Sequence, residues 1–259
     1  MIQLIQIPFR RNRLIRKFSI YRFIILSAAL ILATTALTDD ANAQRVQPMS
    51  YELQPSGSMA STSLRIENTS KVDMTLELLA SRISVDDKGA ETLSAAEDDF
   101  LIFPPQLILK AGKMQAIRVK YIGEPTISKS SAYRISVKQI PIDLSGSGRS
   151  GVGMVVNFHT LAHVAPKSAK VDLHVSKISN GGLGKWDISI YNRGEKMGRL
   201  SQTSWVITDG GHSKTLSLKE VADMTDKNFV MPGRTLNLTI PAIEGFNAGT
   251  TSVKINAKS

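Results

Sequence analysis

Four histidines, His159, His163, His174 and His212, are the first candidates for metal or acid–base chemistry. His159 and His163 are four apart, a zinc-like spacing on a helix. Their surroundings, Val152 to Val164, read instead as a strand, where four residues span about 13 Å, too far for one metal ion. Both histidines are therefore expected on the wetter face of that strand. Asp98-Asp99 offers adjacent carboxylates, better suited to capping a turn before Phe100. The chain has no dinucleotide glycine fingerprint, no phosphate loop and no Gly-x-Ser-x-Gly elbow. The expectation is a protein that is not an enzyme and uses no cofactor and no metal.

What remains is apolar and basic. Val152, Met154, Val156 and Phe158 recur at every second position, so a strand would present them as one apolar row. Such a row suits a strand lent to a partner, and it equally suits the core of its own domain. Left exposed, it would need a bound partner or self-association to cover it. Arg134 and Lys138 share parity with Ser136, opposite Tyr133, Ile135 and Val137, giving a strand with one basic and one apolar face. Arg118 and Lys120 are expected on an outer surface.

The elements that must hold these residues are strands. Apolar residues alternate with period two along Ser63 to Ile66, Met74 to Ile83, Leu107 to Leu109, Gln115 to Tyr121 and Ala132 to Ile140. Asn68-Thr69-Ser70 and Asp86-Asp87-Lys88-Gly89 mark turns between them. A polar loop, Gly146 to Gly151, precedes the strand Val152 to Val164, and Pro166 begins a hinge. The pattern then restarts at Val171 to Val175, Trp186 to Ile190, Trp205 to Ile207, Thr215 to Leu218, Leu236 to Ile240 and Val253 to Ile255. Strands at about ten-residue spacing argue for β-sandwiches, and two sets argue for two of them.

Residues 1–43 read as an export signal, with a basic stretch from Arg10 to Arg22, an apolar stretch from Phe23 to Leu37 and Ala41-Asn42-Ala43 for cleavage. The apolar stretch is short for a membrane span of about 20 residues, so no stable membrane insertion is expected. The chain of 259 residues carries a net charge of +10, of which +6 stays after residue 43. That mild excess suits an acidic partner or a carboxylate better than nucleic acid, which is not expected as a partner. There is no cysteine, so two apolar cores must stabilise the exported chain without disulfides.

Phe100-Leu101-Ile102-Phe103-Pro104-Pro105, then Leu107-x-Leu109, Gly112 and Gln115-x-Ile117-Arg118-Val119, resembles periplasmic pilus chaperones of the chaperone–usher pathway. Tyr133 to Pro141 resembles a later strand of that family ending in Ile-Pro, and Leu64 to Ser70 resembles an early one. The missing cysteines and Pro48-Met49 resemble the archaic-type branch. The resemblance covers the first domain well and the second loosely.

It implies an all-β fold of two immunoglobulin-like β-sandwich domains in an L-shaped arrangement after a signal peptide. The expected boundaries are 1–43 for the signal, 44–165 for the N-terminal domain with its donor strand, and 166–259 for the C-terminal domain. The implied function is a periplasmic chaperone that stabilises pilus or fimbrial subunits by donor-strand complementation and delivers them to an outer-membrane usher. The donor residues would be Val152, Met154, Val156 and Phe158. The family also holds the subunit's terminal carboxylate on bases between the domains. The family's Lys falls here at Leu161, five residues before Pro166, and its Arg falls in Pro48 to Leu53, which has no base. The anchor is therefore expected at Arg134, assisted by Lys138 or His163. The alternative is an exported structural β-sandwich protein, a pilus subunit or adhesin domain. Gln44 to Met49 is too short and polar to be a subunit's donor extension.

Overall fold

The computed structural model describes residues 44–140 and 155–257. The expected export signal and the donor positions Val152 and Met154 lie outside the described residues.

The described residues of the first half form ten strands: β1 (Arg45–Gln47), β2 (Ser50–Leu53), β3 (Ser61–Glu67), β4 (Met74–Val85), β5 (Glu91–Ala95), β6 (Phe100–Phe103), β7 (Gln106–Leu109), β8 (Met114–Tyr121), β9 (Ser131–Ile140) and β10 (Phe158–Val164). One sheet runs β1-β3-β8-β6. The facing sheet runs β2-β10-β9-β4-β5, with β7 pairing β4 on the side away from β9, ahead of β5. Alternation sets the faces. In β4, Met74, Leu76, Leu78 and Ala80 point inward, and in β9 Tyr133, Ile135 and Val137 join them. The opposing sheet supplies Leu64, Ile66, Ile117 and Val119. Arg118 and Lys120 are exposed, as expected.

The turns use the chemistry the sequence announces. Asn68 is fully buried, donates from Nδ2 to the carbonyls of Val72 (2.8 Å) and Leu109 (3.0 Å), and accepts from the Ser70 amide. Asp86 accepts from the amides of Lys88 and Ala90, and Gly89 closes that turn at φ 77°. Glu97–Asp99 forms a 3-10 turn before β6, where Asp99 accepts from Arg82 Nη2 at 2.7 Å.

The second half holds β11 (Leu173–Gly182), β12 (Lys185–Asn192), β13 (Gly198–Arg199), β14 (Thr203–Asp209), β15 (His212–Leu216), α1 (Leu218–Met224), β16 (Phe229–Val230), β17 (Thr235–Pro241) and β18 (Ser252–Ala257). Sheets β11-β12-β17 and β15-β14-β18 enclose Trp186, Ile188, Ile190, Trp205, Ile207, Leu236, Leu238 and Ile240. Leu218, expected at a strand end, begins a helix instead. Ser217 and Glu220 form a reciprocal cap: the Ser217 hydroxyl accepts from the Glu220 amide, and the Glu220 carboxylate accepts from the Ser217 amide. The pattern Ser-Leu-Lys-Glu carries that signal.

Asn192 repeats the role of Asn68. It is fully buried, donates to the carbonyls of Lys196 (2.8 Å) and Val230 (2.9 Å) and accepts from the Gly194 amide at 3.0 Å. It thereby fixes the loop after β12. That loop is also tied to the first sandwich, because the Ser130 amide donates to the Glu195 carbonyl and the Met197 amide donates to Ser130 Oγ, both at 2.8 Å. Met197 packs in a small apolar cluster with Ile83, Ala132 and Leu161. A second tie joins the Asn237 amide to the Asp87 carbonyl at 2.7 Å. Close packing at Gly89 belongs to this contact, since a Cβ there would lie 2.6 Å from Lys227 Cδ.

Candidate functional site: an open strand edge and a basic cleft

β10 is only half covered on its outer side. Parallel β2 pairs with Leu161 to Val164, whereas antiparallel β9 pairs with the whole of Phe158 to Val164. The Leu161 amide donates outward to the Met49 carbonyl at 2.9 Å. Successive strand residues point their polar backbone groups to alternate sides, so His159 presents its N–H and C=O on the same outer side. Among the described residues no strand pairs with β10 there. This is an unpaired edge of the kind that accepts another chain's strand.

Among the described residues of the strand expected from Val152 to Val164, β10 begins at Phe158, and residues 155–157 lead into it without ladder pairing. Val156 is half-buried, and Val155 is 44% exposed. Phe158 is half-buried and packs against the first core. The apolar row thus serves the chain's own core at Phe158. The Gln139 amide donates to Asn157 Oδ1 at 3.2 Å, which ties this lead-in to β9.

The opposite face of β10 carries His159, Leu161 and His163. His159 Nδ1 lies 2.8 Å from Ser136 Oγ, and Leu161 sits across from Arg134. His163 borders a cleft of about 800 Å³ whose lining includes Ser50, Glu52, Lys170, Lys196, Arg199 and Gln202. β2 contributes Ser50 and Glu52 because its alternate residues, Tyr51 and Leu53, turn into the first core. The loop fixed by Asn192 contributes Lys196, and β13 contributes Arg199.

The cleft is electropositive. Lys196 Nζ reaches both Glu52 oxygens, Oε1 at 2.9 Å and Oε2 at 2.7 Å. Arg199 Nη2 donates to Ser50 Oγ at 2.7 Å, and its guanidinium lies 5.8 Å from the Phe229 ring centre. Burial pulls the Arg199 pKa down, and nearby Glu52 partly offsets this. A half-buried guanidinium has five donors and favours an anionic acceptor over a single hydroxyl.

His163 is 4% exposed, its Nδ1 lies 3.7 Å from Glu52 Oε2, and its Nε2 has no partner among the described residues. Burial pulls its pKa from 6.5 to about 4, with Lys196 and Arg199 adding to the fall and Glu52 opposing it. The unfolded chain therefore binds more protons than the folded one between these two values. This group's contribution to stability is complete above pH 6.5 and is lost as pH falls toward 4. The shift corresponds to about 3 kcal/mol. In urea titrations at pH 7.5 and pH 4, His163→Gln is expected to reduce the stability difference seen in the parent protein by roughly that amount. An unchanged difference would mean that His163 titrates normally.

Of the expected anchor residues, the structure brings only His163 to the cleft. Arg134 is ion-paired with Glu91 and does not line it. Lys138 is exposed on the same β9 face, opposite Glu77 of β4. Lys196 and Arg199, which line the cleft, were not among the residues singled out from the sequence. The local sequence, Gly194-Glu195-Lys196-Met197-Gly198-Arg199, carries two bases and one acid in a glycine-containing loop, a weak signal.

Residues 46–164 match the family model described as "Pili and flagellar-assembly chaperone, PapD N-terminal domain". A comparison with curated proteins found no match. Among solved structures, the class 5 fimbriae chaperone CfaA is 15% identical with a TM-score of 0.56, covering 84% of this chain and 100% of its own. A chaperone–tip adhesin complex of CFA/I fimbriae gives 15% identity and a TM-score of 0.55, with the same coverage. The CsuC–CsuE chaperone–tip adhesion subunit pre-assembly complex from archaic chaperone-usher Csu pili of Acinetobacter baumannii gives 16% and 0.51, covering 76% of this chain and 89% of its own. At these identities the likeness is one of fold, two β-sandwiches in series. The family match, residues 46–164, lies over the sandwich that carries the half-open β10.

Proposed function

We propose that this chain is a periplasmic chaperone of the archaic chaperone–usher type. It captures pilus or fimbrial subunits by donor-strand complementation and delivers them to an outer-membrane usher. The single observation that carries this reading is the outer edge of β10, paired over Leu161 to Val164 and, among the described residues, open at His159 and along the lead-in. A subunit missing its last strand exposes an apolar groove between two unpaired edges. The open edge would supply the main-chain hydrogen bonds, and Val156 with its apolar neighbours would fill the groove. Val152 and Met154 extend the proposed donor row, and residues 165 and 166 divide the two domains.

The cleft would receive the subunit's terminal carboxylate. Arg199 is the proposed anchor, with Lys196 and His163 beside it. Arg134, already satisfied by Glu91, and Lys138 fall outside this proposal. The mechanism needs neither catalysis nor a nucleotide. Assembly would be driven by the subunit exchanging a borrowed strand for a better-fitting one.

The test is co-expression with a subunit of the same fibre that lacks its final strand. The subunit is expected to accumulate in the periplasm and to co-purify with the chain in a one-to-one complex. Equal subunit accumulation with and without the chain would contradict the proposal.

A further inference from the structure

The cleft already contains a carboxylate. Glu52 is the only acidic residue among those that line it, against Lys170, Lys196 and Arg199. Both its oxygens lie within 3 Å of Lys196 Nζ, and Oε2 lies 3.7 Å from His163. Its side chain is 50% exposed, so this is an accessible contact that can exchange. Ser50, which holds Arg199, sits two residues away on the same face of β2.

We infer that Glu52 is a resident counter-carboxylate: it occupies Lys196 in the free protein, competes with an incoming carboxylate for that cation and lowers the grip of the cleft on its ligand. This rests on the reading of the cleft as a carboxylate anchor. Arg199, whose guanidinium among the described residues donates to the neutral Ser50 hydroxyl, offers the entering group its first partner. Lys196 becomes a second partner only when Glu52 lets go. A like charge close to the bound carboxylate weakens it further, and the effect is strong because the cleft is partly desolvated. His163 adds no positive charge near neutral pH, so the cations that Glu52 opposes are Lys170, Lys196 and Arg199. The physical benefit is release. A chaperone must give up its subunit, and a grip weakened by an internal competitor is easier to reverse than one set by two unopposed cations.

The competing interpretation is that Glu52 and Lys196 form a tie between the sandwiches with no bearing on ligands. The two are separated by a peptide of alternating valine and threonine, ten residues long, prepared with a free C-terminal carboxylate and as its C-terminal amide. Binding to the full mature chain is measured by calorimetry, and melting temperatures are recorded for each variant. The parent protein is expected to prefer the acid. Glu52→Gln keeps an acceptor for Lys196 and removes the charge. It is expected to raise affinity for the acid by about tenfold and to leave the amide unchanged. Glu52→Ala should act in the same direction.

An acid affinity that stays level or falls in both Glu52 variants overturns the inference and leaves the anchor intact. The anchor itself fails on a different result: no preference for acid over amide in the parent and in Arg199→Ala alike.

Discussion

Val156→Asp is expected to end subunit capture while the free protein folds normally. Val156 lies just before β10 and outside the first core, whose nearest member is Phe158. Val156 is half-buried but belongs to no core cluster, so a carboxylate at residue 156 costs the free chain less than one at Phe158. In the complex the same side chain would enter an apolar groove without a partner for its charge. Burying an unpaired polar or charged group costs several kcal/mol, so capture should fall by at least 100-fold. The co-purified subunit should be lost while the melting temperature stays within a few degrees of the parent. Phe158→Asp is a poorer test, because Phe158 packs on the chain's own core and would lower stability as well. Full capture by folded Val156→Asp would show that this segment does not enter the subunit.

Arg199→Ala carries the second large effect. Its guanidinium is half-buried, held by Ser50 Oγ and set over Phe229, and so is oriented before any ligand arrives. Removing one partner of a desolvated charge pair costs about 2–5 kcal/mol, much of it from the charge left behind. Subunit affinity should drop by about 30-fold or more. Arg134→Ala should leave affinity nearly unchanged, since that guanidinium is engaged by Glu91 away from the cleft lining. Because Arg199 also joins the two sandwiches, melting temperatures must accompany the binding data. The anchor is supported if affinity falls far more than stability does, and is contradicted if both fall together.

Much of the fold was legible because it is local. Period-two alternation placed Tyr133, Ile135 and Val137 in the core, and Asn68 and Gly89 in turns. The helix after Ser217 was also written locally, in a capping pattern that is easily passed over beside the preceding strand. The candidate site was less legible, because its members meet across the chain. Arg199 and Ser50 are 149 residues apart, and Lys196 and Glu52 are 144 apart. No pattern within one strand announces either contact. The basic face at Arg134 was real as a pattern, but a carboxylate on β5 already satisfies it, and only the folded sheet reveals that. The strand read from Val152 to Val164 illustrates the remaining difficulty. Its apolar alternation continues through residues 155–157, while ladder pairing begins only at Phe158.

The most direct measurement is amide hydrogen exchange of the chain alone and in complex with a subunit lacking its final strand. The amides of His159 and of residues 155–157 should exchange quickly in the free chain and gain strong protection in the complex. Those of Phe158 and Thr160, which face β9, should be protected in both. Protection of the His159 edge would establish that β10 lends its backbone to the subunit. A tight complex in which residues 155–159 exchange as fast as in the free chain would contradict donation from this strand.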